Sequence, residues 1–234
     1  MIKNALEYIV GLGRPETVNI NDREYSTEKL NPVLEPTAST LRVTTLDALI
    51  DYIKSKVDVD MVQPELIHVE SPTSVKLYSP IYGDFQQREC YIAAEPLLPE
   101  IQFGRFMDSE KFIISMQSKF EKTDDLEAIL KIVGNIKEEA VKNVGDDGIS
   151  QAVTVKTGIA KVENVVVPNP AVLKPFRTFT EVEQPESKFI FRMQSGPEMA
   201  LFEADGGAWR TQAMKNIKAY LEKELRGCEV NVIA

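Results

Sequence analysis

The 234-residue chain is 43% hydrophobic and carries 27 Lys and Arg residues against 36 Asp and Glu residues, a net charge of −9. This composition supports a substantial buried core and disfavours wholesale disorder. The sequence also lacks a cluster of unopposed basic residues, so it predicts neither direct nucleic-acid binding nor attachment to an anionic membrane surface.

The start of the chain predicts a separate extension over residues 1–44. It combines a short helix, residues 2–10, with a hairpin around the Asn21–Asp22 turn, and prolines punctuate the connection that follows. The remainder, residues 45–234, is predicted to form the main domain.

Apolar spacing along the main domain places helices and strands in separate runs. Because βαβ alternation is absent, the sequence predicts an α+β fold of antiparallel sheets with segregated helices. Val57 is expected on the apolar stripe of the first helix and Trp209 on the core side of the last. Alternation places Phe189, Phe191 and Met193 on one face of a strand. The predicted elements are a helix over 45–57 capped by Thr44 or Thr45, three antiparallel strands over 66–94, a helix capped by Asp108, a long helix from Thr123 to Val144, a hairpin over 150–167, a strand over 187–194, a helix over 208–226 and a strand over 229–234.

Histidine and cysteine give no catalytic or metal-binding pattern. His68 is the only histidine and alternates with Ile67 and Val69, so neither a His-based metal site nor a catalytic triad is predicted. Cys90 and Cys228 lack zinc-site or CxxC spacing and are predicted to be reduced, partly buried thiols. The chain also shows no secretory signal and no apolar run of about 20 residues. These observations predict a cytoplasmic protein with no membrane partner.

Two acidic motifs could form a metal site or a phosphate-binding loop, but they are explained more simply as the end of one helix and the cap of another. Asp146 and Asp147 follow Gly145, which we expect to end the long helix. A divalent ion would require these carboxylates to converge with Glu203 and Asp205. The glycine pair after Asp205 lacks the spacing of a phosphate-binding loop, and Asp205 is expected to cap the last helix instead. The sequence therefore predicts no metal and no cofactor.

Residues 165–193 combine four prolines with many apolar residues. Proline removes backbone donors and holds the chain extended, so we predict that this segment does not serve as a central strand. Two alternatives stay open: a docking arm on a neighbouring copy, or a crossover that covers the protein's own core. The candidate interface residues of the docking arm are Pro168, Pro170, Val172, Leu173, Phe176, Arg177 and Phe179.

Three runs of sequence carry a resemblance to a known family. They are GNIKEEAVKNVGDDGISQAVTVKTGIA, VPNPAVLKPFRTFTEVEQPES and ALFEADGGAW, which begin at residues 134, 167 and 200. Over roughly residues 40–234 the chain resembles the YfdQ-like proteins encoded by bacteriophages and prophages. The resemblance implies a phage or prophage origin and a bacterial cytoplasm, and it supplies no catalytic residues.

These observations favour a non-enzymatic phage protein that self-associates into a homo-oligomer, such as a ring or a capsid-like shell. The alternative is an acidic binding module that sequesters or inhibits a host protein or a small ligand. It is favoured by residues 1–117, where 11 basic residues face 18 acidic ones for a net charge of −7. A third hypothesis is a metal-dependent enzyme built on the four carboxylates named above.

Overall fold

The computed structural model describes residues 2–13, 15–21, 23–27, 37–58, 65–83, 86–135, 144–146, 151–157, 161–166, 169–194 and 198–234. The chain divides into two units, Met1–Thr37 and Ala38–Ala234. The helices are α1 (Ile2–Leu12), α2 (Leu46–Ser55), α3 (Ser109–Lys119), α4 (Asp124–Gly134) and α5 (Ala208–Glu224). The strands are β1 (Thr17–Ile20), β2 (Arg23–Ser26), β3 (Leu41–Val43), β4 (Glu65–Ser71), β5 (Ser74–Tyr78), β6 (Cys90–Ala94), β7 (Met107–Asp108), β8 (Phe120–Glu121), β9 (Val144–Asp146), β10 (Gln151–Thr157), β11 (Lys161–Val166), β12 (Ala171–Pro175), β13 (Ser187–Gln194), β14 (Glu198–Glu203) and β15 (Val230–Ile233).

The N-terminal unit contains the predicted helix and hairpin. β1 pairs antiparallel with β2, and Asn21 in the turn has a positive φ of 54°, a conformation that asparagine tolerates. No side chain described in this unit is buried. β3 pairs with β6, so the main unit begins at Ala38 rather than at residue 45.

The first five-stranded sheet of the main unit has the order β7-β14-β13-β12-β8 and is antiparallel throughout. The helices α3 and α4 pack against it. α3 begins at its predicted cap, since Asp108 accepts from Lys111 N–H at 2.9 Å, and α4 begins where predicted, with Thr123 accepting from Leu126 N–H at 3.2 Å. β13 buries the predicted alternate residues. We call the cluster between this sheet and its helices the first core; its largest fully buried side chains are Phe112, Met116, Leu126, Ile129, Phe189 and Phe191.

The second five-stranded sheet has the order β15-β4-β5-β6-β3. Its centre is the predicted antiparallel run, whereas β15 and β3 join its two edges in parallel. α2, capped by Thr45 as predicted, and α5 cover one face, and Tyr220 donates to Asp47 at 2.5 Å to join these helices. The second core lies between this sheet and these helices, and it includes Phe179 and Val182 from the chain that follows β12. The α+β fold is therefore confirmed.

A third sheet has the order β11-β10-β9 and confirms the predicted hairpin, since β10 pairs antiparallel with β11. The prediction of one helix up to Val144 is wrong. α4 ends at Gly134, and Gly145 lies in β9 opposite Ala152, so it does not end a helix. Residues 136–143 lie outside the described part of the chain.

Two further differences concern single elements. Val57 lies beyond the end of α2, where Lys56 adopts the left-handed conformation, and it is 63% exposed. β14 was not predicted, although it pairs with β13 along six residues and adds Met199 and Leu201 to the first core. Within the described residues there is no helix whose length and hydrophobicity suit a membrane span.

Replacing Phe179 by alanine tests its place in the second core. Because the ring is fully buried, Phe179→Ala is expected to lower the free energy of unfolding by about 3–5 kcal/mol. The measurement is urea unfolding followed by circular dichroism at fixed protein concentration. Phe176→Ala is the matched control and should cost less, because Phe176 is only half-buried. A stable Phe179→Ala protein of reduced mass would instead support the docking arm.

Candidate functional site

Three residues of the predicted docking interface lie inside the chain's own fold. Leu173 is fully buried in the first core and Phe179 in the second, and Arg177 is 8% exposed. In this conformation their side chains are not available to a neighbouring copy. This burial favours the second of the two alternatives, in which the segment covers the protein's own core, although residues 171–175 do so as a strand.

The remaining interface residues belong to β12 and its flanks. Val172 and Phe176 are half-buried, Pro170 is exposed, and Pro168 lies outside the described residues. β12 is nevertheless an inner strand, since it pairs with β13 through its first three residues and with β8 through its last two. The prediction that the segment cannot serve as a central strand is wrong because Pro170 precedes the strand and Pro175 is its last residue, which leaves the donors between them intact.

The chain then turns from the first sheet to the second core through residues 176–184, which we call the connecting segment. Gln184 is 1% exposed and organises it. Its Oε1 accepts from Arg177 N–H at 3.0 Å and Thr178 N–H at 3.3 Å, and its Nε2 donates to Phe179 O at 3.0 Å. Thr178 Oγ1 also donates to Pro72 O, in the turn between β4 and β5, at 2.6 Å. The buried backbone groups of this turn are thus satisfied by side chains, which no local sequence motif predicts.

Arg177 connects the connecting segment to β14 and α5. Its Nη1 lies 2.6 Å from Glu203 Oε1, and its Nη2 donates to Ser187 Oγ. The guanidinium carbon lies 4.0 Å from the centre of the Trp209 ring and 5.5 Å from that of Phe189. Burial lowers the pKa of Arg177 to about 10, against the opposing effect of the Glu203 charge, so the side chain stays cationic at neutral pH.

The start of α5 differs from the prediction in one detail. The N-cap is Gly207, with φ at 83°, and a side chain there would collide with the guanidinium of Arg210. Asp205 still serves the helix, because its Oδ1 accepts from Gly207 N–H at 3.0 Å. Burial raises the pKa of Asp205, but hydrogen bonds, led by that from Gly207, and the charge of Arg177 outweigh it and lower the pKa overall.

An open cleft of about 620 Å³ lies beside this cluster. Its walls come from β13, the turn after β14 and the first residues of α5, and they include Lys188, Asp205, Trp209 and Gln212. Trp209 was predicted to be buried in the core; it is half-buried and lines the cleft instead. Its ring rests on Arg177, an arrangement that depends on residues far apart in the sequence.

The four carboxylates of the metal hypothesis are only partly described. Glu203 is paired with Arg177 and Asp205 is bonded to Gly207, whereas Asp146 is described only as part of the β9 backbone and Asp147 lies outside the described residues. Within the parts of the chain that are described, no three His, Cys, Asp or Glu side chains are grouped to hold a metal.

The histidine and the two cysteines considered in the sequence analysis lie in the second sheet or beside it. His68 is half-buried on β4 and pairs across the strands with Lys76. Cys90 and Cys228 are free and half-buried, as predicted. None of these residues lines the cleft.

Comparisons with known proteins add no relative. No protein-family model, curated protein or solved structure matches this chain. The resemblance to YfdQ-like proteins stays a prediction.

Replacing Gln184 tests whether its amide holds the connecting segment. Gln184→Leu leaves the N–H groups of Arg177 and Thr178 buried without an acceptor, and each such group costs about 1–3 kcal/mol. We expect the free energy of unfolding to fall by about 2–6 kcal/mol in urea denaturation. Gln117→Leu, on the exposed face of α3, is the control and should change stability by less than about 0.5 kcal/mol. Equal effects of the two changes would contradict this role.

Proposed function

We propose that the protein is a non-enzymatic, self-associating protein whose N-terminal unit docks onto a second copy of the chain. The observation that supports this is the exposure of apolar side chains throughout that unit. Ile2 is 79% exposed, Ile9 63% and Leu6 56%, and these three lie on one face of α1. The hairpin adds Val18 at 41% and Ile20 at 54% exposure.

Neither element of this unit is expected to persist without a partner surface. An 11-residue helix is marginal in water on its own, and so is an isolated two-stranded hairpin. Their stability must come from burying an apolar face, yet none of the described side chains between residues 2 and 27 is buried. A partner surface supplies that burial.

The exposed apolar area is of the size that a stable interface needs. Eight large apolar side chains of the unit are exposed: Ile2, Leu6, Tyr8, Ile9, Val10, Val18, Ile20 and Tyr25. At roughly 100 Å² each, they offer roughly 800 Å², which is what one partner contributes to a standard protein interface. A second copy is the partner that is always present, and closed symmetry makes homo-oligomers the commonest assemblies.

The proposal extends to origin and compartment. The resemblance to YfdQ-like proteins supports a phage or prophage source and a bacterial cytoplasm. A ring or a capsid-like shell is the type of assembly that docking of one copy's arm onto the next would build, since head-to-tail contacts close into rings when the rotation permits.

The test is the mass of the full chain in solution, measured by size-exclusion chromatography with light scattering. We expect a discrete mass that is a multiple of 26.3 kDa. Leu6→Ser combined with Ile9→Ser should reduce it, because both changes remove apolar area from the docking face of α1.

The matched control is Asn4→Ser combined with Glu7→Ser, on the opposite face of the same helix. This variant should keep the wild-type mass. A wild-type protein that stays at 26.3 kDa at every concentration tested would refute the proposal. Equal loss of mass in both double variants would show that the apolar face of α1 is not the contact.

A further inference from the structure

Three buried side-chain atoms around Trp209 have no hydrogen-bond partner in the described residues: Arg177 Nε, Asp205 Oδ2 and Trp209 Nε1. Native proteins leave few such atoms unpaired, because each loses its hydrogen bonds to water without gaining a replacement. Arg177 is more than nine-tenths buried, and its guanidinium stacks on Trp209. The three atoms that lack hydrogen-bond partners therefore belong to one group of neighbouring side chains.

This group of side chains lies beside the open cleft. Asp205 and Trp209 both line it, and its volume of about 620 Å³ falls within the usual range for small-molecule sites. The cleft is far larger than one ordered water molecule requires. A group that enters it can therefore be an organic molecule.

The unpaired atoms restrict the chemistry of such a molecule. Of the residues that carry these atoms, Asp205 and Trp209 line the cleft, so a bound molecule would have to offer an acceptor to Trp209 Nε1 and a donor to Asp205 Oδ2. A hydroxyl group both donates and accepts, so a molecule with several hydroxyl groups supplies both functions at neighbouring positions.

The charges around the cleft restrict the chemistry of the bound molecule further. An anionic ligand would meet the carboxylates of Asp205 and Glu186, and a cationic ligand would meet the ammonium group of Lys188. The indole of Trp209 offers an apolar surface with a polar N–H at its edge. A neutral molecule with both an apolar face and hydroxyl groups fits all of these conditions.

We propose that this cleft binds a neutral polyhydroxylated ligand, namely a sugar unit of a glycan. The sugar packs against Trp209 and donates a hydroxyl hydrogen to Asp205. Binding requires Asp205 and Trp209 to turn their unpaired atoms toward the cleft, so the environment of the indole changes. This site goes beyond the proposed self-association and does not depend on it.

The experiment uses the fluorescence of the full-length protein, since Trp209 is its only tryptophan. Glucose, galactose, mannose and N-acetylglucosamine are titrated separately into the millimolar range. We expect a saturable change in intensity or wavelength with at least one of them. Sodium phosphate and methylamine serve as anionic and cationic probes and should give no saturable change.

Asp205→Asn is the informative variant. The asparagine keeps an oxygen for Gly207 N–H but replaces the unpaired acceptor with an NH₂ donor. We expect the affinity for the responding sugar to fall about tenfold or more. Glu222→Gln, on α5 but outside the cleft, is the matched control and should bind like the wild type. If circular dichroism shows that Asp205→Asn is unfolded, Gln212→Ala at the wall of the cleft replaces it, with the same expected direction.

Three results would overturn the proposal. The first is the absence of a saturable response to every sugar, which would mean that the cleft holds only water. The second is a saturable response to phosphate or methylamine without one to sugars. The third is equal sugar affinity in the wild type and in the folded cleft variant.

Discussion

The fold of the main unit depends on how the chain passes from the first sheet to the second core without leaving backbone groups unpaired. Only three residues separate the end of β12 at Pro175 from the fully buried Phe179. The side-chain amide of Gln184 accepts hydrogen bonds from two backbone N–H groups of this turn and donates to its carbonyls. A single side chain thus supplies the hydrogen bonds that a neighbouring strand supplies in a sheet. The same segment reaches α2, where Glu181 accepts from Leu46 N–H at 2.7 Å. Both cores are therefore joined by one short stretch of chain.

Within this segment, Arg177 is the residue whose burial is energetically least favourable. A buried guanidinium loses its hydration, and one carboxylate alone rarely offsets that loss. Here Glu203, Ser187 and the faces of aromatic rings share the task, and Asp205 adds its charge nearby. These partners come from β13, β14 and α5, so Arg177 contacts all three of these elements.

Local signals in the sequence predicted local structure well. Thr45, Asp108 and Thr123 cap their helices because capping needs only a side-chain oxygen at the right position. Alternation along β13 predicted its buried face, because successive side chains of a strand point to opposite faces of the sheet. The prolines were misleading, because their effect on a strand depends on their position within it, and Pro175 stands at its last residue. The environment of Trp209 could not be predicted, since it is created by Arg177 from another part of the chain.

The parallel pairing of β15 with β4 affects the order in which the main unit can assemble. The strands and helices of the first core all lie between Met107 and Glu203, so one continuous stretch of chain can form it. The second core draws on β3 to β6 before that stretch, on Phe179 and Val182 within it, and on α5 and β15 after it. Contacts between residues so distant in sequence form late, because closing a long loop lowers the chain entropy before the contacts contribute favourable free energy. During synthesis all elements of the first core are made before β15, so the first core can form before the second core gains its edge strand.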